Sequence, residues 1–174
     1  MKKSSIFLGT PRFITTYEIN KQNPNWYKKH KNESYTEIIF IQEGCGEFIL
    51  NDHHTFGNEG DLIIFNPFRN SEGKSSISNP IQGISVCFSS LHINGENKGW
   101  VTNSVDTPII HLQDQKVEIS QYLQAILSEY HTKSIGYEDI ISSILQAVII
   151  KVSRLSRKTD HPSISSVCLI VKKY

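Results

Sequence analysis

The sequence lacks the features that mark several large classes of protein. Its three cysteines, Cys45, Cys87 and Cys168, lie far apart and form neither a CxxC pair nor a Cys/His pattern with metal-ligand spacing. Their number is also odd, which argues against a disulfide scaffold. The pattern favours a reducing cytoplasm, in which each cysteine packs as a small hydrophobic residue.

Long apolar runs are also missing. Near the N-terminus only Ile6, Phe7 and Leu8 form an apolar run before Gly9, and this is too short for the core of a signal peptide. No stretch approaches the roughly 20 apolar residues that a membrane-spanning helix needs. We therefore predict no membrane association.

A strong excess of one charge is absent as well. The chain holds 18 Lys/Arg and 17 Asp/Glu, and its net charge of +1 excludes the strongly basic domain typical of non-specific nucleic-acid binding. Residues 151–174 differ, because they contain six Lys or Arg against Asp160 alone. This local excess indicates either a negatively charged partner near the C-terminus or a solvated helix end.

The first two thirds of the chain are rich in short β-patterns. With 174 residues and 38% hydrophobic residues, the chain is large enough to bury a core. Turn signals recur every 8–12 residues, which is typical of an antiparallel sandwich or barrel. Strands are predicted at residues 13–19, 35–42, 46–50, 53–56, 61–65, 81–88 and 108–112.

The remaining third has helical periodicity. Apolar residues recur every three to four positions over 115–131 and 137–157, which predicts two helices. The second helix carries an apolar stripe that is wider than one packing partner needs. The stripe favours either a dimer interface or a hairpin that caps the barrel. The residues predicted for a dimer interface are Ile141, Ile144, Leu145, Val148, Val152 and Leu155.

Beyond the second helix, residues 160–163 interrupt the pattern and residues 164–174 resume a helical register. Eleven residues cannot bury an apolar face alone. We therefore expect the chain to stop just inside a further structural element.

Two segments have the spacing of cupin barrel motifs. They read His30-x-Asn32-x4-Glu37-x6-Gly44 and Gly60-Asp61-x5-Pro67. Their order, followed by the two predicted helices, resembles the N-terminal sensor and dimerisation domain of AraC/XylS-type transcription regulators. The resemblance covers nearly the whole chain.

The resemblance implies a mainly β fold with α: a cupin-like double-stranded β-helix barrel followed by a two-helix dimerisation hairpin. Residues 1–112 would form the effector-binding barrel with its N-terminal arm, and 113–158 the hairpin. Residues 159–174 would be a linker and the start of a truncated helix-turn-helix DNA-binding domain. The expected partners are a second copy of the chain and a small-molecule effector, a sugar or metabolite. Promoter DNA would be bound only through the absent C-terminal domain.

The motif also bears on metal binding. Metal-dependent cupins hold their metal with three histidines and one glutamate. Here Asn32 replaces the second histidine, and residues 68–72 contain none. We therefore predict no metal and no cofactor. The polar residues predicted to contact an effector at the barrel mouth are His30, Asn32, Tyr35, Glu37 and Arg69, with Phe7, Phe13 and Tyr17 of the arm as lids.

Glu37 is predicted to carry a buried carboxylate. It shares one strand face with Ile39 and Ile41, so its carboxylate is predicted to lie in an apolar layer. A buried carboxylate must be paired, hydrogen-bonded, protonated or metal-bound. The leading hypothesis is a non-catalytic sensor domain. The alternatives are a small cupin enzyme, such as a dioxygenase or sugar isomerase, and a regulator whose barrel no longer binds an effector.

Overall fold

Eleven strands precede two helices in the part of the chain that the computed structural model describes, residues 5–20, 22, 26–31, 33–50, 52–102 and 109–159. The strands are β1 (Phe7–Gly9), β2 (Arg12–Ile19), β3 (Tyr27–His30), β4 (Thr36–Glu43), β5 (Cys45–Leu50), β6 (His53–Asn58), β7 (Asp61–Phe65), β8 (Ser71–Ser75), β9 (Gln82–Ser89), β10 (His92–Ile93) and β11 (Ile109–His111). The helices are α1 (Lys116–Thr132) and α2 (Tyr137–Thr159).

All strand pairs in the described residues are antiparallel. A five-stranded sheet has the order β11-β7-β4-β9-β2, and a four-stranded sheet has the order β3-β8-β5-β6. The short strands β1 and β10 form a separate pair. The prediction of a mainly β chain followed by two helices is confirmed.

The five-stranded sheet is covered on both faces. Because side chains alternate along a strand, Ile39 and Ile41 of the central strand β4 face the four-stranded sheet, whereas Ile38 and Phe40 face the helices. We call these the inner and outer faces of the sheet. All four side chains are at most 1% exposed, which explains why β4 lacks the polar alternation of a one-sided strand.

The helices pack on the outer face. Buried residues of α1, such as Ile119, Leu123 and Ile126, join the same core cluster as Ile38 and Phe40. The two helices are joined by a short turn at residues 133–136, where Lys133 and Gly136 both take positive φ. No helix among the described residues is long and apolar enough to cross a membrane.

The stripe predicted as a dimer interface packs on the protomer's own core instead. Its buried members are at most 1% exposed, because the outer face of the sheet and α1 already cover them. A dimer interface on α2 would therefore have to use another face of this helix. The buried members are Ile141, Leu145, Val148 and Val152, while Ile144 and Leu155 are partly buried against the same cluster.

Four strands were not anticipated from the sequence. Two of them, β3 and β8, are polar, and β8 turns only the small residues Ser71, Gly73 and Ser75 inwards. Such segments have little intrinsic strand preference and take it from their partners. Gly44 and Gly60, in the turns that precede β5 and β7, both take positive φ. The helical register predicted over 164–174 lies outside the described residues.

Candidate functional site

The inner layer holds one group of mutually bonded polar side chains. His30 is the last residue of β3, and Glu37 lies near the start of β4 in the opposite sheet. Tyr17 on β2 and Ser85 on β9 reach the same point from the five-stranded sheet, and Lys28 reaches it from β3. We call these five residues the Glu37 cluster.

The Glu37 carboxylate is fully buried and accepts hydrogen bonds at both oxygens. Oε1 accepts from the Tyr17 hydroxyl at 2.6 Å and from the Ser85 hydroxyl at 2.5 Å. Oε2 lies 2.5 Å from His30 Nε2 and 3.6 Å from Lys28 Nζ. A buried carboxylate was expected to be paired, hydrogen-bonded, protonated or metal-bound. In the structure Glu37 is both hydrogen-bonded and paired.

These partners set the charge of the cluster. Burial acts to raise the pKa of Glu37, but hydrogen bonds from His30, Ser85 and Tyr17 and the charge of Lys28 outweigh it and hold the pKa below its usual value of 4.5. Burial and the neighbouring carboxylate raise the pKa of Tyr17. Glu37 is therefore an anion at neutral pH, and Tyr17 is a neutral hydrogen-bond donor.

Aromatic rings enclose the imidazole of His30. The ring centre of Tyr35 lies 5.0 Å from that of His30, and the ring centre of Phe65 lies 5.1 Å away, both in edge-on geometry. Tyr35 is partly exposed, whereas His30 is 1% exposed. The cluster therefore lies next to Tyr35, between the two larger sheets.

Hydrogen bonds join three loops near Tyr35. The Phe68 amide donates to the Glu33 carbonyl at 2.7 Å, which joins the β7–β8 loop to the β3–β4 loop. The Thr36 hydroxyl donates to the Gly99 carbonyl at 2.5 Å and ties in a third loop.

The structure brings together three of the five predicted contact residues, His30, Tyr35 and Glu37. Arg69 does not join them, because its exposed guanidinium stacks 5.1 Å from the ring centre of Trp100. Asn32 lies outside the described residues.

Among the predicted lids, Tyr17 belongs to the cluster, but Phe7 and Phe13 pack towards the helices. The ring centre of Phe13 lies 5.5 Å from that of Tyr130 on α1. The register of β2 shifts between Phe13 and Thr15. Because of this shift, Phe13 lies on the outer face of the sheet and Tyr17 on the inner face.

Sequence reasoning missed Ser85 and Lys28. Ser85 carried a signal, because it is a lone hydroxyl between the apolar residues Ile84 and Val86. Lys28 carried none, because its strand was not recognised.

The donors present do not fit the metal that the resemblance to cupins would imply. His30 Nε2 and Glu37 Oε2 face each other at 2.5 Å, so each occupies the position that a metal ion would need. Within the described ranges no group of three His, Cys, Asp or Glu side chains comes together. One imidazole and one carboxylate fall short of the three protein ligands usual at a catalytic zinc.

Comparison with known proteins gives matches among solved structures alone. No family model matches the sequence, and no curated protein matches it. EutQ from Clostridium difficile is 13% identical with a TM-score of 0.33, over 47% of this chain and 63% of EutQ. A cupin 2 domain-containing protein from Halorhodospira halophila is 12% identical with a TM-score of 0.36, over 56% of this chain and 72% of that one.

ToxT from Vibrio cholerae matches over a longer part of the chain. It is 10% identical with a TM-score of 0.43, over 86% of this chain and 55% of ToxT. Cupin-domain proteins and ToxT are structural neighbours of this chain. The chain spans less than two thirds of the length of EutQ and of ToxT.

A surface cavity of about 500 Å³ lies elsewhere, over the outward side of β5. Phe56 and Ile77 form its walls, and both are more than 60% exposed. No residue of the Glu37 cluster lines it, so the cavity and the cluster are separate features.

Acid should remove the stability that Glu37 contributes. Because the folded-state pKa of Glu37 is lowered, this stability is complete above the usual value of 4.5 and is lost as the pH falls through the lower folded-state pKa. We expect Glu37→Gln to be less stable than wild type near neutral pH, with the difference narrowing below about pH 4. Urea unfolding across this range measures it, and parallel pH profiles for the two proteins would contradict it.

Proposed function

We propose that the chain is the effector-sensing and dimerisation part of an AraC/XylS-type transcription regulator. The observation that carries this proposal is the two-sided sheet, which has the Glu37 cluster on its inner face and the helical hairpin on its outer face. An event in the inner layer therefore acts on strands that also touch the helices.

Strand β9 connects the Glu37 cluster to the helical core through adjacent residues. On β9, Ser85 bonds the Glu37 carboxylate, while Ile84 and Val86 on either side of it pack in the helical core. A ligand that moves Ser85 by a fraction of an ångström also moves its neighbours, because packed cores are nearly incompressible.

Strand β2 supplies a second connection. Tyr17 bonds Glu37, and two residues earlier the Thr15 hydroxyl donates to the Tyr130 hydroxyl of α1 at 3.3 Å. Any change in the position of Tyr17 therefore reaches α1 through the same strand.

In this proposal the Glu37 cluster recognises an effector and catalyses no reaction. Both carboxylate oxygens already accept hydrogen bonds from Tyr17, Ser85 and His30, so the protein itself occupies the group that would serve as a general base. Promoter DNA would be contacted by a helix-turn-helix domain outside the 174 residues.

The dimer face we propose is the side of α2 opposite the core. Ile140 is 43% exposed, Ala147 and Ile150 are partly exposed, and the small residue Ser143 lies between them. These positions alternate in steps of three and four, which is the spacing of a helix–helix seam. Homodimers with two-fold symmetry place such a seam against its own copy.

Replacing Ile150 with glutamate should separate the dimer. A carboxylate brought into this seam from both copies is costly, so the dimer dissociation constant should rise about tenfold or more. Sedimentation equilibrium at several concentrations measures it. We expect wild type to approach twice the mass of one chain and the Ile150→Glu variant to remain near a single mass.

Ile77→Glu is the matched control, because it adds the same charge to an exposed isoleucine on another surface. It should dimerise like wild type. Thermal unfolding of all three proteins at low concentration should show similar transitions, since neither residue lies in the core. A wild-type chain that stays monomeric at high micromolar concentration would count against the dimerisation role.

A further inference from the structure

Phe68, in the β7–β8 loop, has a backbone conformation that is costly for its side chain. Its φ of +58° lies in the left-handed region, and among the described residues it is the one aromatic residue there. Glycine is usual in this conformation, whereas a bulky residue is a rare outlier. Strained residues of this kind cluster at functional sites. The side chain of Phe68 therefore needs an explanation that its backbone does not supply.

Burial is not that explanation, because Phe68 is 63% exposed. Its backbone is fixed by the hydrogen bond from its amide to the Glu33 carbonyl at 2.7 Å. The loop thus holds an apolar ring in water, at a cost both in backbone strain and in exposed apolar area. A partner that covers the ring would recover the second of these costs.

Arg69, the next residue, is also held in a fixed position at the surface. Its guanidinium lies 5.1 Å from the ring centre of Trp100, which is 7% exposed and so forms a rigid support. Stacking covers one face of the planar guanidinium and leaves the N–H donors at its edge accessible. No carboxylate of a described residue pairs with these donors. Arg69 is therefore ready to bind an anionic group.

The loops around Phe68 carry an excess of positive charge. These are the β3–β4 and β7–β8 loops and residues 94–100, and their charged residues are Lys31, Glu33, Arg69, Glu96 and Lys98. Glu96 already has a partner, because Arg157 Nη2 lies 3.5 Å from its carboxylate. Among the described residues, three cations and Glu33 remain without an ion-pair partner. The unpaired charge therefore favours an acidic partner.

The combination of side chains is typical of a contact with another protein. Aromatic residues and arginine most often dominate the binding energy at such contacts. A carboxylate binds the edge of a guanidinium through two parallel hydrogen bonds. An anionic membrane fits less well, because lipid-binding surfaces carry about four to eight Lys or Arg. A nucleic acid also fits less well, because the chain has a net charge of only +1.

We propose that Phe68 and Arg69 form a docking site for an acidic segment of another protein, in which an apolar side chain lies next to a carboxylate. The carboxylate pairs with the Arg69 guanidinium, and the apolar side chain covers the Phe68 ring. Lys31 and Lys98 attract the segment by their charge. This partner is neither the effector nor the second copy of the chain, so the inference goes beyond the proposed sensor and dimerisation function.

Fluorescence anisotropy with two defined peptides tests the proposal. The acidic probe is a fluorescein-labelled peptide of about twelve residues with leucine at every fourth position and glutamate and serine elsewhere. The comparison peptide has glutamine in place of every glutamate. We expect the 174-residue chain to bind the acidic peptide saturably and the glutamine peptide at least about tenfold more weakly.

Arg69→Ala and Phe68→Ala should each weaken binding of the acidic peptide about fivefold or more. The matched controls are Arg12→Ala and Phe56→Ala. Arg12 is exposed on β2 and Phe56 is 67% exposed on β6, so each control removes the same kind of side chain from a different surface. Both controls should bind the peptide like wild type.

Phe68→Gly separates recognition from folding. Glycine takes positive φ without strain, so this variant should unfold at a temperature no lower than that of wild type. It should nevertheless bind the acidic peptide as weakly as Phe68→Ala does. A clearly lower unfolding temperature would show that the ring is retained for packing within the chain, which would overturn the proposal.

The remaining outcomes also decide the question. The site is overturned if the acidic peptide does not bind saturably up to about 1 mM, if the two peptides bind equally, or if the controls weaken binding as much as the site variants. Vesicles with about 30% phosphatidylserine and a single-stranded oligonucleotide are titrated in parallel. Tighter, Phe68-dependent binding of either would replace the proposed partner. Ile150→Glu should bind the peptide like wild type, so this test is independent of dimerisation.

Discussion

Replacing Glu37 with alanine should lower the free energy of unfolding by about 3–5 kcal/mol. The carboxylate is the shared acceptor of Tyr17, Ser85 and His30, and the three donors lose it together. Tyr17 and Ser85 lie in the five-stranded sheet and His30 in the four-stranded sheet, so the loss falls on the junction between the layers. Urea denaturation followed by circular dichroism measures the change.

Two further variants give this measurement its meaning. Glu47 bonds His54 at 2.6 Å on the exposed face of the four-stranded sheet, which makes it a carboxylate–imidazole pair without burial. Glu47→Ala should cost less than about 1 kcal/mol. Glu37→Gln keeps the shape and one acceptor oxygen, and should fall between wild type and Glu37→Ala. Equal losses of unfolding free energy for Glu37→Ala and Glu47→Ala would show that the buried cluster contributes no more to stability than an exposed ion pair.

Replacing Gly83 with alanine should also destabilise the fold strongly. Gly83 lies on β9 between β4 and β2, and a Cβ added there would lie 2.0 Å from the carbonyl oxygen of Phe40. The obstacle is backbone of the central strand and cannot rotate away. We expect a loss of about 3 kcal/mol or more, measured by urea unfolding, or by the soluble fraction and protease resistance if the variant fails to fold.

Gly95→Ala separates this clash from the general cost of replacing a glycine. Gly95 has a φ of +89°, but a Cβ there meets nothing within 4 Å. Its substitution should cost about 1 kcal/mol from backbone conformation alone. If Gly83→Ala lost no more than Gly95→Ala, β4 and β9 would have to separate more easily than their packing indicates.

The β-rich part of the fold could be predicted where burial leaves a pattern in the chain. Strand β4 was recognised because its run of apolar residues is covered on both faces. Strands β3 and β8 were not recognised, because their inward residues, such as His30 and Ser71, are polar. Their sequences of lysine, glycine and glutamate therefore show no apolar alternation. Their strand structure comes from pairing with each other and with β5, which is a tertiary effect.

The site shows the same division. Burial of Glu37 followed from its place beside Ile39, and its need for partners followed from the cost of burying a charge. The partners themselves are 20 residues away at Tyr17 and 48 residues away at Ser85. Only the strand register brings them together, and no local pattern records that register.

The stripe on α2 shows how a correct pattern can be given the wrong partner. Leu145 and Val148 do form an apolar face, as the periodicity indicates. Periodicity states that a face is covered but not by what. Helix α1 and the outer face of the sheet cover it, and the sequence of α2 records neither partner.

The buried thiol of Cys87 can serve as a probe of how often the fold opens. Cys87 lies next to Val86 on β9 and is 3% exposed, and burial together with the Glu37 charge raises its pKa to about 12. A thiol reacts as its thiolate, so the closed protein presents almost no nucleophile at neutral pH. Modification of Cys87 should therefore depend on openings of the fold that expose β9, and its rate should report how often they occur.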